Sequence, residues 1–536
     1  MTNKVVLPGL FVFLLCLVVY HDHVQRNRRK KFPPGPKGLP ILGNIRDRPP
    51  KGKPEFSYWM ERMKKFGPVS SITTLGQTIV FIHDRQAAYE ILERTTKKSS
   101  GRPYLEFGDR LCGFNGFIAT MQFDDDCKLQ RRMIHQHLGT KSAVARFHDI
   151  MEEEVKIFML RIWREPGRLI ELFKGVTGAI ILKVIYGYTV DQDQDDCLVQ
   201  LIHVMMTNFL NVFVAMKWLV DIVPWIQYLP SRLPGMGFKK FARRCRQVNR
   251  AVADIPYSFA RRQSKGPDGR PCYVSKLVEE LGSEKRKAKK EADREEKAIK
   301  YSAGILFLGG ADTTASSMAS FTLAMTLYPD VQRRAQEEID GVIGLDRIPR
   351  LDDRPNLPYV DAIVKEALRW MPVAPLGNVH RATEDIMYRD YVIPKGSFII
   401  PSVWWLTHDP EAHRNPDAFD PERFITGDEP DPHLAVFGFG RRKCPGQYFA
   451  DESLFLMISN LLSCFELSKA VDEKGREIEP PVQGTPGLIC RPIPFPYRIK
   501  PRAGKEHLLR AIEAEKPLRK SDSSLVRDEI QPVLRT

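Results

Sequence analysis

Residues 437–446 read Phe437-Gly438-Phe439-Gly440-Arg441-Arg442-Lys443-Cys444-Pro445-Gly446. Three glycines in ten residues let the backbone turn tightly and approach a flat ligand closely. Arg441, Arg442 and Lys443 surround the sulfur of Cys444 with positive charge, which favours the thiolate. Pro445 and the apolar run from Gln447 to Leu462 place Cys444 just before the N-terminus of a predicted helix, an end that also stabilises an anion. A thiolate so held is a good axial ligand for a haem iron. Taken alone, the run fits a buried cysteine in a basic turn equally well.

The spacing FxxGxRxCxG resembles the haem-binding signature of the cytochrome P450 family, with Phe437, Gly440, Arg442, Cys444 and Gly446 at its fixed positions. The resemblance implies a mostly α fold with a minor β portion, preceded by an N-terminal transmembrane helix. It implies haem b, iron protoporphyrin IX, with Cys444 as axial ligand of the iron. Arg442 would pair with a haem propionate, and Phe437 would pack against the sulfur.

Working outward, an apolar helical run from Tyr301 to Leu327 contains Phe307-Leu308-Gly309-Gly310-Ala311-Asp312-Thr313-Thr314. Adjacent glycines in a helix cost about 1 kcal/mol each relative to alanine. That cost points to something large lying against the helix, or to a local opening. Close packing at small residues, with Thr313 bonding back to its own helix, explains the run as well. The resemblance extends to the family's (A/G)GxDT motif, in which Asp312 and Thr313 would deliver protons. Glu366 and Arg369 lie three apart on one predicted helix face. By themselves they read as an exposed ion pair. In the family they join an arginine of a later PERF run, here Arg423, in one buried network that supports the cysteine loop. His380, after the proline-broken stretch Met371 to Pro375, is a loop histidine or a propionate partner.

One position departs from the family pattern. Arg131 matches the arginine of its WxxxR pair, but Cys127 stands where tryptophan is expected, followed by Lys128. Cysteine offers no indole N–H donor, so one propionate is expected to be held less firmly unless Lys128 substitutes.

The chain has 536 residues, a formal net charge of +15 and 43% hydrophobic residues, the balance of an ordinary globular protein with room for a large core. No basic stretch is interleaved with aromatics, so nucleic acid is the weakest partner for the excess charge. Nine cysteines without a CxxC pair argue against a zinc ribbon or a disulfide framework. Val5 to Tyr20 carries no charge and precedes Arg26, Arg28, Arg29, Lys30 and Lys31. The positive-inside rule puts that cluster, and everything after it, in the cytosol. The predicted organisation is a membrane anchor over 1–24, a basic, proline-rich spacer over 25–45, one catalytic domain over 46–501 and a charged, loosely ordered tail over 502–536. A hairpin is predicted around Gly76, helices over about 85–340, a mobile charged connection with some helix from Ser264 to Lys297 and short strands near 378–400.

The resemblance implies a monooxygenase of the endoplasmic reticulum membrane, single-pass, using O2 and a small apolar substrate. Its narrower features are those of fungal secondary metabolism, with a terpenoid, polyketide or aromatic alkaloid as substrate. No GxGxxG follows a strand and no flavin domain is evident, so electrons are expected from NADPH-cytochrome P450 reductase. Competing readings are a haem-thiolate isomerase or dehydratase, a non-catalytic haem-binding protein, and a membrane scaffold with a structural Cys444.

Overall fold

The computed structural model describes residues 31–40, 42–47, 49–50, 52–191, 196–214, 217–266, 269–283, 288–515 and 520–535. The predicted anchor, Val5 to Tyr20, and the basic residues Arg26 to Lys30 lie outside them. Among the described residues no helix is long and apolar enough to cross a membrane.

The chain forms two compact units interleaved in sequence. The first comprises Met1–Pro103, Ala374–Leu406 and Gly438–Lys443. It holds helix α1 (Glu55–Met63) and a four-stranded sheet in the order β1-β2-β6-β3, from β1 (Val69–Thr74), β2 (Gln77–Ile82), β3 (His380–Arg381) and β6 (Phe398–Pro401), together with the pair β4 (Ile386–Tyr388) and β5 (Tyr391–Ile393). β1 and β2 form the predicted hairpin. Its loop is Leu75-Gly76, with φ of 48° and 83°, and positive φ at both residues matches the twist of the flanking strands. Trp59, Ile72 and Phe81 form the core beneath the sheet.

The second unit comprises Tyr104–Val373, Thr407–Phe437 and Cys444–Thr536. It carries the long helices α2 (Asp125–Leu138), α3 (His148–Arg164), α4 (Leu169–Tyr186), α5 (Cys197–Val212), α6 (Phe238–Gln263), α7 (Tyr273–Ser283), α8 (Lys289–Leu327), α9 (Pro329–Ile343), α10 (Pro358–Trp370) and α11 (Gln447–Cys464), then the pair β7 (Phe465–Lys469) and β8 (Tyr497–Pro501). The 39-residue α8 is its axis: charged and largely exposed at first, it is almost wholly buried from Thr314 to Thr326. The expected mostly α, minor β class holds.

One expectation, the loosely ordered tail, needs correction. The stiff, proline-rich spacer is held against β1: Ser71 N donates to Pro34 O at 2.7 Å, Ser71 Oγ to Pro33 O at 2.5 Å, and Asn44 and Thr73 exchange two hydrogen bonds. Proline lacks an N–H but keeps its carbonyl, so a proline-rich strand can serve a sheet edge. The charged connection at 264–297 contains helix as expected: in α7, Tyr273, Val274 and Leu277 are buried. The tail folds as α12 (Glu506–Glu515) and α13 (Arg527–Arg535). Leu508, Leu509, Ile512, Val526 and Ile530 are buried, and Asp522 holds Arg270 at 2.6 Å and Thr189 N at 2.8 Å. Its charges form the outer faces of two amphipathic helices.

Ile530→Ala is expected to cost about 2–4 kcal/mol of stability, read as a lower urea midpoint; a loosely ordered tail would leave the midpoint unmoved.

Candidate functional site

The cysteine loop begins in the second unit at Phe437 and returns to it at Cys444. Cys444 N donates to Phe437 O at 2.7 Å, which closes the loop. Gly438 and Gly440 adopt φ of 79° and 53°. At Gly440 a side chain is excluded sterically as well, since a Cβ would stand 2.6 Å from Leu92 O. Gly440 N donates to Glu93 Oε1 at 2.8 Å and Arg441 N to Thr96 Oγ1 at 3.0 Å, so the first unit fixes the turn Gly440–Arg442. Gly446 is the N-cap of α11. Of the eight described cysteines, seven are buried and Cys444 alone is half-open.

Arg131, on α2, is largely buried. Burial pulls its guanidinium below its ordinary value, against the sulfurs of Cys127 and Cys444, which raise it. Cys127 is fully buried. Lys128 does not substitute for the missing indole: its ammonium stays exposed and pairs with Asp125 at 2.8 Å.

The first unit gathers a second cluster. His380 Nδ1 donates to Ser99 O at 2.8 Å, Arg442 Nε to Ser100 O at 2.8 Å, and Arg102 Nη1 to the carbonyls of Asn378 and Val379 at 2.9 and 2.7 Å. All three side chains are buried. Burial, then the charges of Arg102 and Arg442, hold His380 well below its ordinary value, so it is neutral and stands in a positive field. Sequence reasoning missed Arg102; a single arginine before a proline gave no signal.

On α8, Thr313 Oγ1 donates to Gly309 O at 2.6 Å, and Asp312 lies 3.8 Å from the Lys174 ammonium of α4. Gly309 is exposed, between buried Leu308 and half-buried Gly310, and a Cβ there would meet nothing within 4 Å. Ile305, Gly309 and Thr313 share one face, so that face borders open space.

Glu366 and Arg369 form a buried pair instead of the exposed one that their spacing alone allows. Both are 0% exposed, with Arg369 Nε and Nη2 at 2.7 and 2.8 Å from the two Glu366 oxygens. Arg423 Nε reaches Glu366 Oε1 at 3.3 Å, and its Nη1 binds both oxygens of Glu429 at 2.8 and 2.7 Å. Burial lifts the Glu366 carboxyl above its ordinary value despite the two arginines. Glu429 was not legible beforehand, since an exposed-looking acid in a loop carries no spacing signal.

Comparison with known proteins decides the family. The cytochrome P450 family model matches residues 33–496. The chain is 44% identical over 526 residues to "Cytochrome P450 monooxygenase CLM2" of Gibberella zeae, covering 97% of this chain and 99% of that protein. It is 43% identical over 522 residues to "Multifunctional cytochrome P450 monooxygenase af510" of Aspergillus fumigatus, covering 96% and 97%. It is 34% identical over 504 residues to "O-methylsterigmatocystin oxidoreductase" of Aspergillus flavus, covering 93% of each. The chain belongs to the cytochrome P450 family.

This cytochrome P450 is a haem-thiolate monooxygenase: it binds haem b through a cysteine thiolate and takes O2, a substrate and electrons from a redox partner. Its residues fit that cofactor within each unit. The second unit offers a half-open sulfur and an α8 face bordering open space. The first offers a buried positive field suited to carboxylates.

Behind Phe437 this P450 has a support that sequence reasoning missed. His433 stacks on Phe437 with ring centroids 5.5 Å apart, and binds Asp431 at 2.6 Å through Nδ1 and Asp451 at 2.8 Å through Nε2. Asp451 also pairs with Arg354 at 2.7 Å. Burial pushes the imidazole down, but its hydrogen bonds to the Asp431 and Asp451 carboxylates, and their charges, outweigh it and lift His433 to about 9. A folded-state value above the unfolded one stabilises the fold fully below the unfolded pKa, and that stability is lost as pH rises through the folded pKa. Raising the pH from about 6.5 to about 9 should therefore remove roughly 2–3 kcal/mol. His433→Gln should abolish that part of the slope in urea midpoints measured against pH.

Proposed function

We propose that Cys444 is the axial thiolate of the haem, and that this P450 oxygenates a small apolar metabolite of fungal secondary metabolism. The observation that carries the reading is the half-open Cys444 sulfur in a glycine-built, positively charged loop before the N-terminus of α11. When bound, the haem supplies the redox chemistry that activates dioxygen and places one oxygen atom in a substrate bond.

The chain's own residues hold and feed that chemistry. Phe437 packs beside the sulfur, and Gly440 and Gly446 let the loop approach the porphyrin. Arg442, His380 and Arg131 would hold the propionates, with Arg102 adding its charge to the first two. Thr313 Oγ1 and the Asp312 carboxylate carry protons toward the dioxygen side, along the open face of α8. Glu366, Arg369 and Arg423 touch no reactant and fix the segment that leads to the loop.

An aromatic cluster supports an apolar substrate. Phe114 lies 5.4 Å from both Phe209 and Phe213, and Phe117 lies 4.9 Å from Tyr301, edge to face. Such walls suit a terpenoid, polyketide or aromatic alkaloid skeleton. Electrons would come from an NADPH-cytochrome P450 reductase, for which Lys443 and its basic neighbours suit an acidic docking face. The organisation we propose is an anchor over 1–24, a basic, proline-rich connecting segment over 25–45, the catalytic domain over 46–501 and the tail over 502–536. The anchor would be single-pass in the endoplasmic reticulum membrane with the catalytic domain cytosolic. Exposed Leu219, Trp225 and Tyr228 form an apolar patch consistent with contact to a lipid surface.

Cys444→Ser should abolish the thiolate-type carbonyl absorbance of the reduced protein, and incubation of the parent with candidate metabolites, NADPH and reductase should give a product heavier by one oxygen. A parental carbonyl spectrum in the serine variant overturns the assignment. Cys127→Trp, which restores an indole donor near Arg131, should slow haem transfer to a haem-scavenging protein; an unchanged rate would show that the cysteine costs nothing in haem retention.

A further inference from the structure

The two adjacent glycines of α8 have different neighbours. A Cβ on Gly309 would meet open space, whereas a Cβ on Gly310 would stand 2.5 Å from Ile181 Cδ1 and 2.9 Å from Ile181 Cγ1. Gly310 is therefore required by the close approach of α4. From the same stretch of α4, Thr177 Oγ1 lies 2.7 Å from Ala311 O, and the Lys174 ammonium lies 3.8 Å from Asp312 Oδ1. Positions 174, 177 and 181 share one helix face. That face meets residues 312, 311 and 310 in turn, which is the segment carrying the acid of the acid–alcohol pair.

The same segment has an unusual hydrogen-bond pattern. The carbonyls of Gly309, Ala311 and Asp312 each accept a side-chain hydroxyl, from Thr313 at 2.6 Å, Thr177 at 2.7 Å and Ser316 at 2.8 Å. Hydroxyl donation to helical carbonyls loosens and bends a helix. Thr313 and Ser316 belong to α8 itself; Thr177 comes from α4. Its hydroxyl has one proton and faces two good acceptors, Ala311 O and, on its own helix, Phe173 O at 2.8 Å. Donation to Ala311 O ties the Ala311–Asp312 peptide to α4 and keeps the Asp312 carboxylate within reach of Lys174. Donation to Phe173 O releases that peptide.

We propose that Thr177 and Lys174 are positioning residues for proton delivery: α4 acts as a clasp that sets where the Ala311 carbonyl and the Asp312 carboxylate stand. The inference rests on the reading of Asp312 as a proton carrier. Neither residue is required to touch substrate or haem. Lys174 is 36% exposed and Asp312 15% exposed, so the pair is loose enough to break and re-form as the carboxylate moves between solvent and the open face of α8.

The test uses the haem-loaded full chain with an NADPH-dependent reductase and no added substrate. Two readouts are taken: the solvent isotope effect on oxygen-dependent NADPH oxidation, and deuterium uptake by the peptide spanning 305–318. Thr177→Val keeps the shape and deletes the hydroxyl. It should raise the isotope effect about twofold and speed exchange of that peptide about tenfold, as expected when a proton-transfer step slows and a local hydrogen bond is lost. Thr177→Ser should restore both, and Lys174→Met should raise the isotope effect alone. Faster exchange with an unchanged isotope effect in Thr177→Val reduces Thr177 to packing and overturns the inference, as does a serine variant that behaves like valine. Asp312→Asn separates the two readings. If it leaves the isotope effect at the parental value, Asp312 carries no proton and the reading beneath the clasp fails. If it raises the effect while Thr177→Val and Lys174→Met do not, the clasp alone fails.

Discussion

At 0% exposure, the Glu366 carboxylate accepts hydrogen bonds from Arg369, from Arg423 and from the Asp420 amide at 2.7 Å. Arg369 spends all five of its N–H donors: two on Glu366 and three on the carbonyls of Thr407, Pro416 and Ala418 at 2.7–3.0 Å. Removing either charge would strand the other in a dry interior, at about 3–5 kcal/mol. The network joins α10 to residues 407–423, of which 409–420 lie in neither helix nor strand. In sequence that stretch leads on to Phe437, which closes onto Cys444 N at 2.7 Å.

Charge is distributed with a consistent logic around the loop. Each buried acid near it is answered: Glu366 and Glu429 by two arginines, Asp451 by Arg354 and His433. The first unit's cluster of Arg102, Arg442 and neutral His380 instead spends its hydrogen bonds on main-chain carbonyls, which leaves a positive field. Such a field favours a ligand that brings its own carboxylates. The loop's sulfur and the first unit's positive cluster are thus prepared by different means, helix end and glycine turn for the one, buried guanidinium groups for the other.

The α8 helix reconciles two demands. Gly309 borders open space while α4 closes against the neighbouring position, Gly310. Three hydroxyls bond carbonyls at 309, 311 and 312, in the turn where an acid and an alcohol stand side by side, and the i−4 pattern continues further along the helix at Ser320, Thr322 and Thr326. A straight, alanine-filled helix would pack better and offer neither the space nor the local play.

The order of motifs was legible in the sequence because each is local: the spacing of Phe437 to Gly446, the i,i+3 pair Glu366 and Arg369, the double glycine before Asp312 and Thr313. So were the hairpin at Gly76 and the mostly helical composition. Local chemistry fixes such features whatever the rest of the chain does. What the sequence left undecided depends on partners remote along the chain. Whether Glu366 and Arg369 were exposed or buried depended on carbonyls forty to fifty residues away. Arg102, Glu429, His433 and Thr177 acquired their roles only from what folding set beside them. The charged tail looked disordered because its apolar residues are few, yet it folds because the rest of the second unit supplies the surface they bury against. Local pattern specifies which groups are offered; only tertiary packing decides burial, and burial sets the strength of every electrostatic contact in this site.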